Sequence, residues 1–217
     1  MFRAIGTFFL SIGLLGSPFF PYETELSDIA VREAYFLGQR NDDKMRAFFS
    51  PYTKHLPLPK KGPHVSEVRL LTPLAQIVQT SSQVRSGYSA QQAQIAYQKR
   101  GDTILLVVHL LLTATYGEID AEHNAQEAAN KRGLAMRRDD FWQDFQYGIK
   151  QSNLWIEPRA IHGEAEYGDV SLGSGLVGAW VYVEYDAANV RSDDAEIHVL
   201  TIPGEDVTVT FDLAKLR

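Results

Sequence analysis

The stretch TILLVVHLLLTATY, residues 103–116, decides how this chain is read. It is the longest apolar run after the N-terminus, and its Ile, Val and Thr residues carry branched Cβ atoms that suit a pleated surface. Read with period two, Ile104, Leu106, Val108, Leu110, Leu112, Ala114 and Tyr116 share one face. Thr103, Leu105, Val107, His109, Leu111, Thr113 and Thr115 share the other. Gly101-Asp102 and Gly117 bracket the run with breakers. A membrane helix needs about 20 apolar residues, and this run is too short. The reading is a central strand, buried on one face and largely covered on the other. At about 3.3 Å per residue it would span roughly 45 Å, which calls for a bulge, a bend, or separate pairings for its two ends.

Working back from this strand, residues 22–101 read as a mainly helical N-terminal region. Ser27 is the N-cap of a helix with Leu26, Ala30, Ala34 and Leu37 on its apolar stripe, and Gly38 is expected to end it. Asp42 or Asp43 opens a second, short helix carrying Met45, Phe48, Phe49 and Tyr52. A proline-rich connector, LPLPKKGPH, follows at 56–64, and then a strand over 65–71. Thr72-Pro73 starts a third helix, and Ser89 with Gln92 forms a capping box for a fourth that stops at Gly101. Before all of this, Met1-Phe2-Arg3 and the apolar Ala4–Gly16 have the form of a signal peptide occupying residues 1–21. No A-x-A-like pair precedes Pro18, so an uncleaved membrane anchor stays open as the alternative. The expected location is extracytoplasmic, periplasmic or secreted.

Working forward, residues 102–217 alternate as strands separated by turns. Phe145, Tyr147 and Ile149 alternate with polar neighbours, and further strands are expected near 154–167, 176–186, 195–202 and 206–213. Pro158 marks its strand as an edge or a bulge. Ile197 and Val199 match Val207 and Val209 across a Pro203-Gly204 turn. The fold class is therefore α+β: a helical N-terminal half, then an antiparallel β-sandwich of immunoglobulin-like size.

Cysteine is absent, which removes disulfides, zinc–thiolate sites and cysteine nucleophiles together. The net charge is −6, with residues 164–217 holding eleven acids against three bases. That balance speaks against nucleic acid as a partner.

Two constellations carry possible chemistry. His162, Glu164 and Glu166 lie at i, i+2, i+4, so a strand projects all three from one face. The set suits a divalent metal, or simply a solvated strand face. Trp180 and Tyr182 share a face opposite Val181 and Val183, and can serve as a ligand platform or as core. Trp142 and Trp155 pose the same choice. Other patterns fail on their mechanics. Asp120, Glu122 and Asn124 have calcium-loop spacing, but Ala125 and Lys131 stand where Gly and Glu are required. Gly173, Gly175 and Gly178 spell G-x-G-x-x-G, but lead into a strand rather than a helix, so no dinucleotide site is expected. His109 reads as a hydrogen-bonded, half-buried histidine.

The runs EAYFLGQR at 33–40, GPHVSEVRLLTP at 62–73, GYSAQQA at 87–93 and TFDL at 210–213 resemble uncharacterised exported proteins of soil bacteria of the acidobacterial type. The resemblance implies export and no particular activity. Two function classes result. The first is a non-catalytic extracytoplasmic module without cofactor, binding a protein, a glycan or another envelope component. A membrane is its partner only if the N-terminal segment stays uncleaved. The second is a metal-assisted hydrolase acting through His162, Glu164 and Glu166.

Overall fold

The computed structural model describes residues 22, 25–57, 63–84, 86–112, 138–170, 173–201 and 204–217. The signal peptide expected at 1–21, the calcium-like spacing at 120–124 and the far end of the 103–116 run lie outside them.

Among the described residues, four α-helices occur: α1 (Asp28–Arg40), α2 (Asp43–Phe49), α3 (Pro73–Gln83) and α4 (Ala90–Arg100). Each starts at the side chain expected from sequence. Ser27 Oγ accepts from the Ala30 amide, Asp42 from the Lys44 and Met45 amides, and Thr72 from the Ala75 amide. Ser89 and Gln92 form the reciprocal box. These caps satisfy amides that the first turn of a helix leaves unpaired. Gly38 does not end α1, which runs on to Arg40 and closes at Asn41 in the left-handed region, φ 49°. The glycine serves packing instead. A Cβ there would stand 2.3 Å from the Val78 carbonyl oxygen of α3, so the two helices touch where the side chain is missing. Val31, Ala34, Ile77, Val78 and Ala93 bury the seam between α1, α3 and α4.

Among the described residues, nine strands form two antiparallel sheets. The first has the order β1 (Thr53–His55), β2 (Pro63–Leu71), β3 (Thr103–Leu112), β7 (Gly173–Asp186), β6 (Ala160–Val170). The second has the order β5 (Leu154–Ile156), β4 (Gln146–Gln151), β8 (Asp194–Leu200), β9 (Asp206–Asp212). The chain is α+β, and β3 is the middle strand of the larger sheet. Ile104, Leu106, Val108 and Leu110 are all fully buried on its inner face. At about 1.5–3 kcal/mol per buried aliphatic side chain, this row is a main source of stability.

Val68 and Leu70 of β2, Val181, Val183 and Tyr185 of β7, and Ile149, Ile197, Val199 and Phe211 of the second sheet belong to the same buried cluster. The larger sheet spans the expected domain line at 101/102, because β2 pairs with β3 from Leu71↔Leu105 onward. The strand expected at 154–167 divides at Glu157–Arg159, where Pro158 lies between β5 of one sheet and β6 of the other. Among the described residues, no helix is long and apolar enough to cross a membrane.

Candidate functional site

Register places the chemistry-bearing residues of the larger sheet on one face, away from the shared core. His109 is opposite Trp180 and Glu67, Val107 is opposite Tyr182 and Arg69, and β6 sets Glu164 beside Trp180 and His162 beside Tyr182. Strand alternation then puts all of these side chains on the outer face. Both sets singled out from sequence, His162/Glu164/Glu166 and Trp180/Tyr182, therefore share a surface.

They are not equally available. The His109 imidazole stacks on the Trp180 indole with centroids 3.9 Å apart and planes at 6°, and the Arg69 guanidinium lies 5.2 Å from the same ring. Arg69 also pairs with Glu67, whose second oxygen is 3.2 Å from His55 Nδ1. The His162 and Tyr182 rings stack at 6.3 Å. Burial, then the Glu164 carboxylate, pushes the Tyr182 phenol up, against the pull of Arg69.

His162 Nε2 and Glu164 Oε1 are 3.5 Å apart and both exposed, whereas Glu166 turns the other way, with Oε2 2.7 Å from His109 Nε2. Among the described residues, no group of three or more His, Asp or Glu side chains is arranged to hold a metal ion.

Gly178 explains how Glu166 reaches His109. Glu166 is on β6 and His109 on β3, with β7 between them. Gly178 of β7 pairs with both Glu166 and Leu111, and a Cβ on it would stand 3.0 Å from Glu166 Oε2. The carboxylate lies over the bare glycine. The third glycine of the G-x-G-x-x-G pattern is thus a gap in a strand face, not a phosphate cradle.

At the other end of this face a groove of about 550 Å³ runs between the sheet and the helices. Its floor includes His55, Glu67, Arg69 and Leu71, and α2 supplies Met45 and Phe49 to a wall.

The second sheet has a smaller hollow of about 370 Å³ on its own outer face, lined by Gln146, Gly148, Trp155, His198, Leu200 and Asp206 among others. Trp155 is 57% exposed, the most open of the three tryptophans. Its ring is seated on Gly148, where a Cβ would come within 2.7 Å of Cζ3. The His198 ring meets it edge-on at 4.9 Å, and Lys150 Nζ is 6.0 Å from its centroid. Asp206 Oδ2 is 2.9 Å from His198 Nδ1, which fixes the ring and keeps the proton on Nδ1. Nε2 is buried, has no hydrogen-bond partner among the described residues, and lies 3.6 Å from Glu196 Oε2. Sequence spacing did not single out this site, because Trp155, His198 and Asp206 come from three strands. Trp142, by contrast, lies on Gly163 and packs against the core.

No protein-family model, curated protein or solved structure matches the chain.

Proposed function

We propose that the protein is an extracytoplasmic module that binds a glycan of the cell envelope through the outer face of its second sheet, with the two sheets stacked as a β-sandwich. The observation that carries this reading is the open Trp155 ring, seated on Gly148 and flanked by the His198–Asp206 pair and Gln146. An exposed indole offers a flat apolar surface to the C–H face of a pyranose ring, and polar groups at its rim bind hydroxyls. Export rests on the Met1–Gly16 pattern and on the resemblance to exported proteins. Trp180 and Tyr182 are a second aromatic surface, but the Trp180 ring is already stacked on His109.

The test is a glycan array followed by calorimetry on the hit. Wild type binds saturably, Trp155→Ala loses binding, Gly148→Ala weakens it by displacing the indole from its seat, and Trp180→Phe retains it. Undiminished binding in Trp155→Ala, or no bound glycan at all, overturns the reading. The metal-assisted alternative makes a different demand: Zn²⁺ or Mn²⁺ raises the melting temperature of wild type but not of a His162→Ala/Glu164→Ala double mutant.

A further inference from the structure

Three side chains on the outer face of the larger sheet form a continuous hydrogen-bonded line. Ser66 Oγ is 2.8 Å from His109 Nδ1, and His109 Nε2 is 2.7 Å from Glu166 Oε2. Ser66 occupies the bulge of β2, between Val65 opposite Leu110 and Glu67 opposite His109, and the extra residue aims its hydroxyl at the imidazole. The Glu166 carboxylate only accepts, so it selects the tautomer with hydrogen on Nε2. Nδ1 is then a lone-pair acceptor facing the serine. The His109 ring is held in this orientation by its stack on Trp180 and its side chain is 15% exposed, while the Ser66 residue is half-buried.

We infer that Ser66, His109 and Glu166 are a nucleophile, a general base and a positioning carboxylate, giving the protein a carboxylic-ester hydrolase activity on the face opposite the shared core. Serine takes Nδ1 and the carboxylate takes Nε2, the reverse of the usual assignment, but the proton relay is the same through either nitrogen. The proton of Ser66 Oγ passes to Nδ1 as Oγ bonds to the acyl carbon. The acyl C–O bond to the alcohol breaks, and Nδ1–H protonates the departing oxygen. Water then gives a proton to Nδ1 and its hydroxide to the acyl carbon; the acyl–Oγ bond breaks, Nδ1 returns that proton to Oγ, and the carboxylic acid leaves with the Ser66 hydroxyl restored.

One further feature fits a substrate here. The groove begins at Glu67, the residue after Ser66, and combines apolar Met45, Phe49 and Leu71 with the Glu67–Arg69 ion pair, which suits a short acyl chain.

The Ser66 hydroxyl also lies 3.1 Å from the His109 carbonyl oxygen. The charges facing the imidazole are His64, Glu67 and Arg69 from β2, His55 from β1, Glu164 and Glu166 from β6, and the Tyr182 phenol from β7.

The full chain is treated with a fluorophosphonate probe, which forms an Oγ–P bond and releases fluoride, and the modified peptide is mapped by mass spectrometry. Wild type is modified at Ser66. Glu166→Gln keeps the size of the side chain and slows modification at least tenfold. His109→Gln slows it by about 10²–10⁴-fold, and Ser66→Ala abolishes both modification and hydrolysis of p-nitrophenyl acetate. Absence of modification at Ser66 in wild type, or an unchanged rate in a folded Glu166→Gln protein, overturns the inference. It does not rest on the Trp155 reading, and glycan binding survives its failure.

Discussion

The indole of Trp142 and the bare Cα of Gly163 occupy one space: a Cβ at Gly163 would stand 2.2 Å from Trp142 Cε2. Gly163 is the β6 residue opposite Val181, so the tryptophan lies on the core side of the sheet, where it caps the row that β3 and β7 bury. Gly163→Ala forces the ring off this seat, and overpacking of this kind costs about 1–3 kcal/mol. Urea denaturation followed by circular dichroism is expected to show a lower midpoint with an unchanged slope. An unaltered midpoint would mean that the indole moves freely.

A second glycine sets two effects against each other. Alanine is the better helix former by about 1 kcal/mol, so Gly38→Ala in a solvated part of α1 would stabilise the chain. At this position the new methyl meets the Val78 carbonyl at 2.3 Å and Ser81 Cβ at 2.7 Å. Backbone of a packed helix yields less readily than a side-chain end, so the clash wins. The expected result is a lower melting temperature, with Gly38→Ser lower still.

Tyr97 gives the protein an alkaline limit. Its hydroxyl donates to Asp102 Oδ1 at 2.5 Å and accepts from the Leu26 amide at 2.8 Å. Burial, then the hydrogen bond to Asp102, pushes the phenol up to about 12. An unfolded tyrosine ionises near 10. The folded value is the raised one, so this contribution is whole below about pH 10 and is lost as pH climbs towards about 12. Tyr22, raised to about 12 by burial and by Asp193, adds to the same window. Tyr97→Phe is less stable at neutral pH, but its stability falls less steeply over that interval. Denaturant midpoints at several alkaline pH values check this, and parallel curves for the two proteins would refute it.

Trp155 is the tryptophan most open to solvent. Acrylamide should therefore quench wild-type emission strongly and the Trp155→Phe protein weakly, since Trp142 and Trp180 are partly buried against the core. A bound glycan is expected to protect wild type and to leave the variant unchanged.

Ser27, Asp42, Thr72 and Ser89 were legible as helix starts because capping is local chemistry, settled within three residues. The alternation of Ile104 to Leu110 was legible for the same reason, as was the β8–β9 hairpin with its Ile197↔Val209 and Val199↔Val207 pairs. Gly38 misled because a helical glycine reads as a stop, and nothing near it in sequence announces the α3 backbone it admits. The Glu157–Arg159 crossing was hidden because apolar alternation continues across it, while the two sides join different sheets. The sites divide along the same line. His162, Glu164 and Glu166 were visible as a two-residue repeat, and the structure keeps them on one face. The Ser66–His109–Glu166 line draws on three strands separated in sequence, with only the bulge at Ser66 and the gap at Gly178 to bring them together.

The strand order of the larger sheet also governs how the chain is made. β3 has no hairpin partner: β2 reaches it through two helices, and β7 begins at Gly173, some sixty residues after β3 ends. Until that strand is synthesised, one long edge of the most apolar segment has nothing to pair with and is a template for other chains. A nascent or truncated product stopping before Gly173 is thus the form that needs a holding chaperone, and the form that proteases and aggregation remove first.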